Sequence, residues 1–196
     1  MYSEEGSPQI INGILNLDQK LLELINIKFS NPFFDFLMPI LDKPVGFILP
    51  VLFFWIYFIF KNPSKRLKLL LLIPLVITFT DQIGYSIKRM ELRDRPWVHS
   101  EQINHLGGKG GKHFSFPSNH AANSMAIATI LVEILGSQFW YLYLLAVITG
   151  LSRVYIGVHF PGDIFVGFIL GWVVARILIL ATNKLQSNWV KYHPAS

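Results

Sequence analysis

The sequence predicts an all-α fold: an integral membrane bundle of about five crossing helices, preceded by an interfacial amphipathic helix. Three observations lead there. Of the 196 residues, 52% are hydrophobic and only 15% are charged. The apolar residues are gathered into runs rather than spread at the spacing of a soluble amphipathic helix. Five of these runs, about 45 to 60, 67 to 87, 120 to 136, 138 to 152 and 163 to 182, approach the roughly 20 residues that a hydrocarbon core of about 30 Å demands. Three clusters of polar residues stand at the ends of those runs.

The elements follow in chain order. Met1 to Ile11 carries Glu4 and Glu5 and no basic residue before its apolar residues, so insertion is expected from internal spans and not from a cleavable signal peptide. Between Leu15 and Ile25 the charges fall on one face, and Pro32 and Pro39 interrupt what comes next. That pattern reads as one amphipathic helix lying on the membrane and one short helix dipping into it. A sixth full span within 10 to 44 is the competing reading. The chain accordingly divides into an N-terminal interfacial segment, 1–44, and a transmembrane domain, 45–196.

Spans joined in sequence alternate in direction. Lys88, Arg95 and Pro96 follow the second span, Pro117-Ser118-Asn119-His120 opens the third, and Ser152-Arg153, His159 and Asp163 join the fourth to the fifth. Parity therefore puts all three clusters on one face. That face holds ten Lys and Arg against seven opposite, which taken literally places it in the cytoplasm. Setting Lys88, Arg95 and Arg153 aside as anion ligands leaves seven on each side. The tight group Lys61, Lys65, Arg66 and Lys68 is the stronger local signal and is placed inside, so the clusters face outward. The formal charge of +5 suits anionic lipid as a partner and not nucleic acid, because no basic stretch is interleaved with aromatics as a nucleic-acid platform would be. The absence of cysteine excludes disulfides, thiolate catalysis and cysteine metal sites.

The clusters supply two imidazoles, a carboxylate, a hydroxyl and three permanent cations, an inventory suited to holding a phosphate and breaking its ester bond. His159 and Asp163 are four positions apart across Phe160-Pro161-Gly162, and proline favours the first turn of a helix. A carboxylate there can take a hydrogen bond from one imidazole nitrogen and leave the other basic. Taken alone, the pair also reads as an interfacial histidine capped by a helix-start aspartate. Ser118 stands where a helix begins, as a plain N-cap or as part of an anion site built on unpaired helix-start N–H groups. His120 at a membrane helix end is costly unless wet or paired, and Arg153 at the end of an apolar span needs an anionic partner. Lys88 to Arg95 taken alone is a juxtamembrane charge run for lipid headgroups. The loop Gly107-Gly108-Lys109-Gly110-Gly111-Lys112 fails as a nucleotide-binding loop, since no Ser or Thr follows either Gly-Lys.

Lys88-x6-Arg95-Pro96, Pro117-Ser118-Asn119-His120 and Ser152-Arg153-x5-His159-x3-Asp163 together resemble the three-part signature of the type 2 phosphatidic acid phosphatase superfamily, over roughly residues 45 to 182. One position departs: the second motif usually reads Pro-Ser-Gly-His, and Asn119 replaces the glycine. The resemblance implies a metal-independent phosphatase with no cofactor. In it His159, oriented by Asp163, attacks phosphorus, and His120 protonates the leaving group and then activates water. Lys88, Arg95, Ser118, Asn119 and Arg153 bind the phosphoryl oxygens. The implied partners are a lipid phosphate and membrane lipids. The implied setting is a bacterial inner membrane with the site facing the periplasm, as in enzymes acting on lipid A 1-phosphate, phosphatidylglycerophosphate or undecaprenyl diphosphate. A phosphotransferase using the same site, a vanadate haloperoxidase, a metallohydrolase and a non-catalytic binder of anionic lipid are the alternatives. The bilayer-length runs disfavour the haloperoxidase, and no ligand spacing such as H-E-x-x-H supports the metallohydrolase.

Overall fold

The computed structural model describes residues 6–108 and 111–192. Met1 to Glu5 of the N-terminal segment and Lys109 and Gly110 of the glycine-lysine loop lie outside the described residues. Helix α1, Gly6–Glu23, runs into a π-helical turn, Leu24–Lys28. Helix α2, Pro32–Leu37, starts where Asn31 accepts from the Phe34 N–H at 3.1 Å and Pro32 fills the first turn, and it passes into a 3-10 turn, Met38–Asp42. Then follow α3 (Pro44–Lys61), α4 (Arg66–Lys88), the single turn α5 (Pro96–His99), α6 (Asn119–Leu135), α7 (Tyr141–Tyr155) and α8 (Pro161–Tyr192). Among the described residues there is no strand, only a lone bridge between Arg93 and Phe114.

Helices α4 and α8 (161–188) are long and apolar enough to cross a membrane by themselves. Helices α3, α6 and α7, at 18, 17 and 15 residues, come to about 27, 26 and 23 Å at about 1.5 Å per residue. Residues 10–44 are broken at Pro32 into separate pieces, and α1 is not among the helices apolar enough to span. Among the described residues no helix of that segment meets the length and apolarity of a crossing.

Helix α6 is the axis of the bundle, packed against α4, α7 and α8. Leu69, Ile73 and Val76 of α4 meet Ala126, Ile127 and Ile130 of α6 and Ala175 and Ile179 of α8 in one buried cluster. Helices α6 and α8 approach so closely because Gly167 and Gly171 lie against the backbone of Ser118 and Ala122; a Cβ at position 167 would stand 2.6 Å from the Ser118 carbonyl oxygen. Small residues at such a seam let two backbones touch. The outward faces are apolar too: Leu71, Leu75 and Phe79 on α4 and Phe165, Ile169 and Trp172 on α8 are exposed. Continuous apolar faces of that size suit hydrocarbon and not water.

The N-terminal segment is fastened to the polar end of the bundle. Leu22 of α1 is buried with Ile103, Val154, Phe160 and Ile164. Asn26, fully buried, donates to the carbonyls of Tyr155 at 2.6 Å and Asn104 at 2.9 Å and accepts from the Asn104 N–H at 2.8 Å, so its amide is satisfied on both sides.

Candidate active site

The C-terminal ends of α4 and α7 and the N-terminal ends of α6 and α8 meet at one end of the bundle, and the three polar clusters meet with them. Lys88, the last residue of α4, donates to the carbonyls of Phe114 at 3.0 Å, Ser115 at 3.3 Å and Pro117. A lysine has three N–H donors, so its ammonium holds the loop that leads into α6. Ser118 caps α6, its hydroxyl accepting from the Ala121 N–H at 3.4 Å, while its own N–H donates to the Asp163 carbonyl at 3.1 Å. The first turns of α6 and α8 are thereby fastened together, with His120 in the first of them. Lys88, Arg95, Arg153 and Asp42 all lie within electrostatic reach of His120.

Arg95 precedes α5 and donates to the carbonyls of Gly111 and Val158, each at 3.0 Å. Arg153, buried in the last turn of α7, pairs with Asp42, whose other oxygen accepts from the Gly108 N–H at 2.7 Å. Its Nε finds no hydrogen-bond partner among the described residues. His159 and Asp163 are both buried, with Nδ1 3.5 Å from Oδ2. That is ion-pair range, longer than a formed hydrogen bond. The Asp163 carboxylate is otherwise saturated: Oδ2 accepts from the Ser115 hydroxyl at 2.6 Å and the Phe160 N–H at 2.9 Å, and Oδ1 accepts from Arg93 at 3.2 Å.

Burial drives the His159 imidazole down to about 3, with Asp163 pulling upward and Arg95 and Lys88 adding to the fall. The ring is neutral across physiological pH, and with Nδ1 turned to the carboxylate its Nε2 carries the lone pair. For Asp42, burial acts upward, but Arg153, the Gly108 N–H and His120 outweigh it and hold the carboxyl below its ordinary value. Burial and the nearby Arg153 lower Arg95, against the pull of Asp163 and Asp42.

Of the residues expected to bind phosphate, one is placed differently from the others. The Asn119 side chain turns away from the cluster toward α4, donating to Asp81 at 3.1 Å and resting on Gly84, where a Cβ would stand 2.5 Å from its oxygen. Asn123, one turn on, donates to the same Asp81 oxygen at 2.8 Å and accepts from Thr80. The extra side chain fills the α4–α6 interface.

Beside the cluster, α3, α6 and α7 border a half-open apolar cleft of about 920 Å³, part of it continuous with the surroundings, lined by Val51, Phe54, Trp55, Phe58, Leu131 and Leu145. Its few polar lining residues include Ser124 and Thr149, each one helical turn from His120 and Arg153 respectively.

The family model of the PAP2 superfamily matches residues 69–187. This chain belongs to the PAP2 superfamily. It is 31% identical over 192 residues to a lipid A 4'-phosphatase of Bacteroides thetaiotaomicron, covering 91% of this chain and 84% of that one. It superposes on the crystal structure of Aquifex aeolicus LpxE with a TM-score of 0.69 at 29% identity, over 82% of this chain and 93% of that one. A PAP2-type phosphatidylglycerolphosphate phosphatase from Bacillus subtilis shares the fold, with a TM-score of 0.67 at 24% identity over 88% of each chain.

The PAP2 motifs do not contain every residue that shapes this site. Arg93 and Ser115, which hold Asp163, and Asp42, which pairs with Arg153, carry no motif signal. Arg93 sits inside the charge run that reads as headgroup-binding, and Ser115 lies between two phenylalanines. Asp18 and Asp42 gain their partners only through the tertiary fold. Asp81 had a readable signal, a carboxylate in the middle of an apolar run, which membrane helices keep for a reason.

Proposed function

We propose that this PAP2 protein is a metal-independent membrane phosphatase that removes phosphate from a lipid through a phosphohistidine at His159. One observation carries the reading: His159 is buried beside Asp163, whose carbonyl binds the Ser118 N–H, with Lys88 and Arg95 within electrostatic reach. Nε2 of His159 attacks phosphorus in line and the bond from phosphorus to the lipid oxygen breaks, His120 giving that oxygen its proton. Water then attacks the phosphohistidine, His120 taking its proton, and inorganic phosphate leaves. Arg95, Arg153 through its Nε, the Ser118 hydroxyl and the helix-start N–H of Asn119 meet the charge that develops on the phosphoryl oxygens. Lys88 adds positive charge while it holds the 114–117 loop.

The apolar space between α3, α6 and α7 lies one turn from His120 and fits the tail of a lipid whose phosphate is in the cradle. The relative named for lipid A makes the 4'-phosphate of lipid A the first substrate to test, ahead of the 1-phosphate, phosphatidylglycerophosphate and undecaprenyl diphosphate. Five crossings, with α3, α6 and α7 reaching into the headgroup layer, an inner-membrane location and an outward-facing site complete the reading.

Phosphate release by the purified, detergent-solubilised protein from that panel of lipids, in excess chelator, tests it. Wild type should turn over at least one member. His120→Ala should lose about 100- to 10,000-fold, the usual worth of general acid catalysis, and His159→Ala should be inactive. Near-normal turnover by His159→Ala would remove the assignment. Phosphorylated acceptor without free phosphate would make the protein a phosphotransferase, and binding without turnover would make it an anionic-lipid binder.

A further inference from the structure

We propose that Arg93, braced by Asp18 of the N-terminal helix, is the positioning residue that sets the carboxylate of Asp163 against His159. The proposal rests on the reading of His159 as nucleophile. One guanidinium bridges two buried carboxylates, NH2 lying 2.6 Å from Asp18 Oδ2 and NH1 3.2 Å from Asp163 Oδ1. Its Cζ sits 3.5 Å from the centre of the Phe160 ring, so the plane of the fork is set by stacking as well as by charge. The second oxygen of Asp18 accepts from the Gly162 N–H at 2.7 Å, in the first turn of α8, where a helix favours a negative charge. Asp18 thus grips both the guanidinium and the helix that carries Asp163.

The division of Asp163's two oxygens shows what this does. Oδ1 goes to Arg93, which leaves Oδ2 for Ser115, the Phe160 N–H and the face of His159. Without the fork, a fully buried carboxylate would keep only neutral donors besides the histidine, a costly arrangement that invites rotation. Rotation would leave the imidazole without its fixed tautomer. The Arg93 side chain is held by Asp18, Asp163 and the Phe160 ring, so its removal should slow the chemical step and leave phosphate binding nearly intact. The N-terminal helix, outside the residues matched by the family model, becomes part of the catalytic apparatus through Asp18.

Steady-state kinetics on purified Arg93→Gln, Arg93→Lys and Asp18→Asn test this, with Arg95→Gln and His159→Ala alongside and thermal unfolding in detergent as the check on folding. Arg93→Gln should lose about 100-fold in kcat, the loss expected when a reacting group is misplaced by about an ångström, with KM within about threefold of wild type. Lysine at 93 should recover part of the loss, because it restores the charge but cannot bridge both carboxylates. Asp18→Asn, which keeps the shape, should lose about tenfold in kcat. A raised KM with kcat kept, as expected of Arg95→Gln, would overturn the proposal by making Arg93 a phosphate ligand. Unchanged kcat in Arg93→Gln would also overturn it, and so would unchanged kcat in Asp18→Asn should Arg93→Gln fail to fold. Full turnover by His159→Ala would bring down the nucleophile itself and this proposal with it, whereas the Arg93 and Asp18 results bear on this proposal alone.

Discussion

At the scale of single residues, the substitution of asparagine for glycine in the second motif shows how an exception is absorbed. The Asn119 side chain needs space and a partner for its NH2, and α4 supplies both, through Gly84, which has no side chain where the amide lands, and through Asp81, while Oδ1 stays without a hydrogen bond among the described residues. Positions 84 and 119 are therefore coupled. Gly84→Ala should lower thermal stability by about 1–3 kcal/mol, the usual cost of overpacking, and Asn119→Gly should be nearly silent by comparison. The double variant should recover most of the Gly84→Ala loss; strict additivity of the two changes would show that they do not meet. His120 and Arg153 stood out in the sequence because hydrocarbon penalises ionisable groups and their presence at span ends demands a reason, and His159 and Asp163 through their four-residue spacing across a helix-start proline. Asp18, Asp42 and Arg93 did not, because a carboxylate or guanidinium in a polar stretch looks the same whether it faces water or a partner far along the chain.

At the scale of helices, the apolar runs marked α3, α4, α6 and α7 and the start of α8 to within a few residues, since the same runs that avoid water also form the buried faces. The misjudged ends have physical causes. Helix α8 continues to Tyr192, well past the apolar run ending near 182, because polar residues end a hydrophobic stretch without ending a helix. The short α5 rests on Pro96 at its first position and has no apolar period to announce it. Helix α1 begins at Gly6 and not near Leu15. The seam between α6 and α8 carries the positioning of His120 against Asp163, and it depends on Gly167 and Gly171. Gly171→Ala puts a Cβ into the Ala122 backbone and should cost about 1–3 kcal/mol of stability, along with a large part of the activity. Gly13→Ala, inside α1 where a Cβ meets nothing within 4 Å, is the matched control and should keep activity and hold or raise stability by up to about 1 kcal/mol. Equal effects of the two variants on thermal unfolding would show that the seam tolerates a side chain.

At the scale of the whole molecule, the fold gathers four helix ends and two loops at one mouth. Parity predicted that convergence, and the contacts between Lys88 and Pro117, Ser118 and Asp163, and Arg95 and Val158 display it. Orientation across the bilayer is a separate matter, because positive charge is nearly balanced between the two ends. The chain has no cysteine, so single introduced thiols report it cleanly. Glu101→Cys, exposed near the site, should react with a membrane-impermeant maleimide in intact cells, and Ser64→Cys, exposed at the opposite end, should react only after permeabilisation. The reverse pattern would turn the site to the cytoplasm and remove the outward-facing lipids from its substrates.

The chemistry is tested most directly by rapid acid-free quenching of the His120→Ala enzyme with a lipid labelled in its phosphate, followed by mapping of the labelled peptide. His120→Ala should slow release of the intermediate enough for label to accumulate on His159, stable to base and lost in acid. Turnover of labelled lipid with no label on His159 at any time would contradict the account.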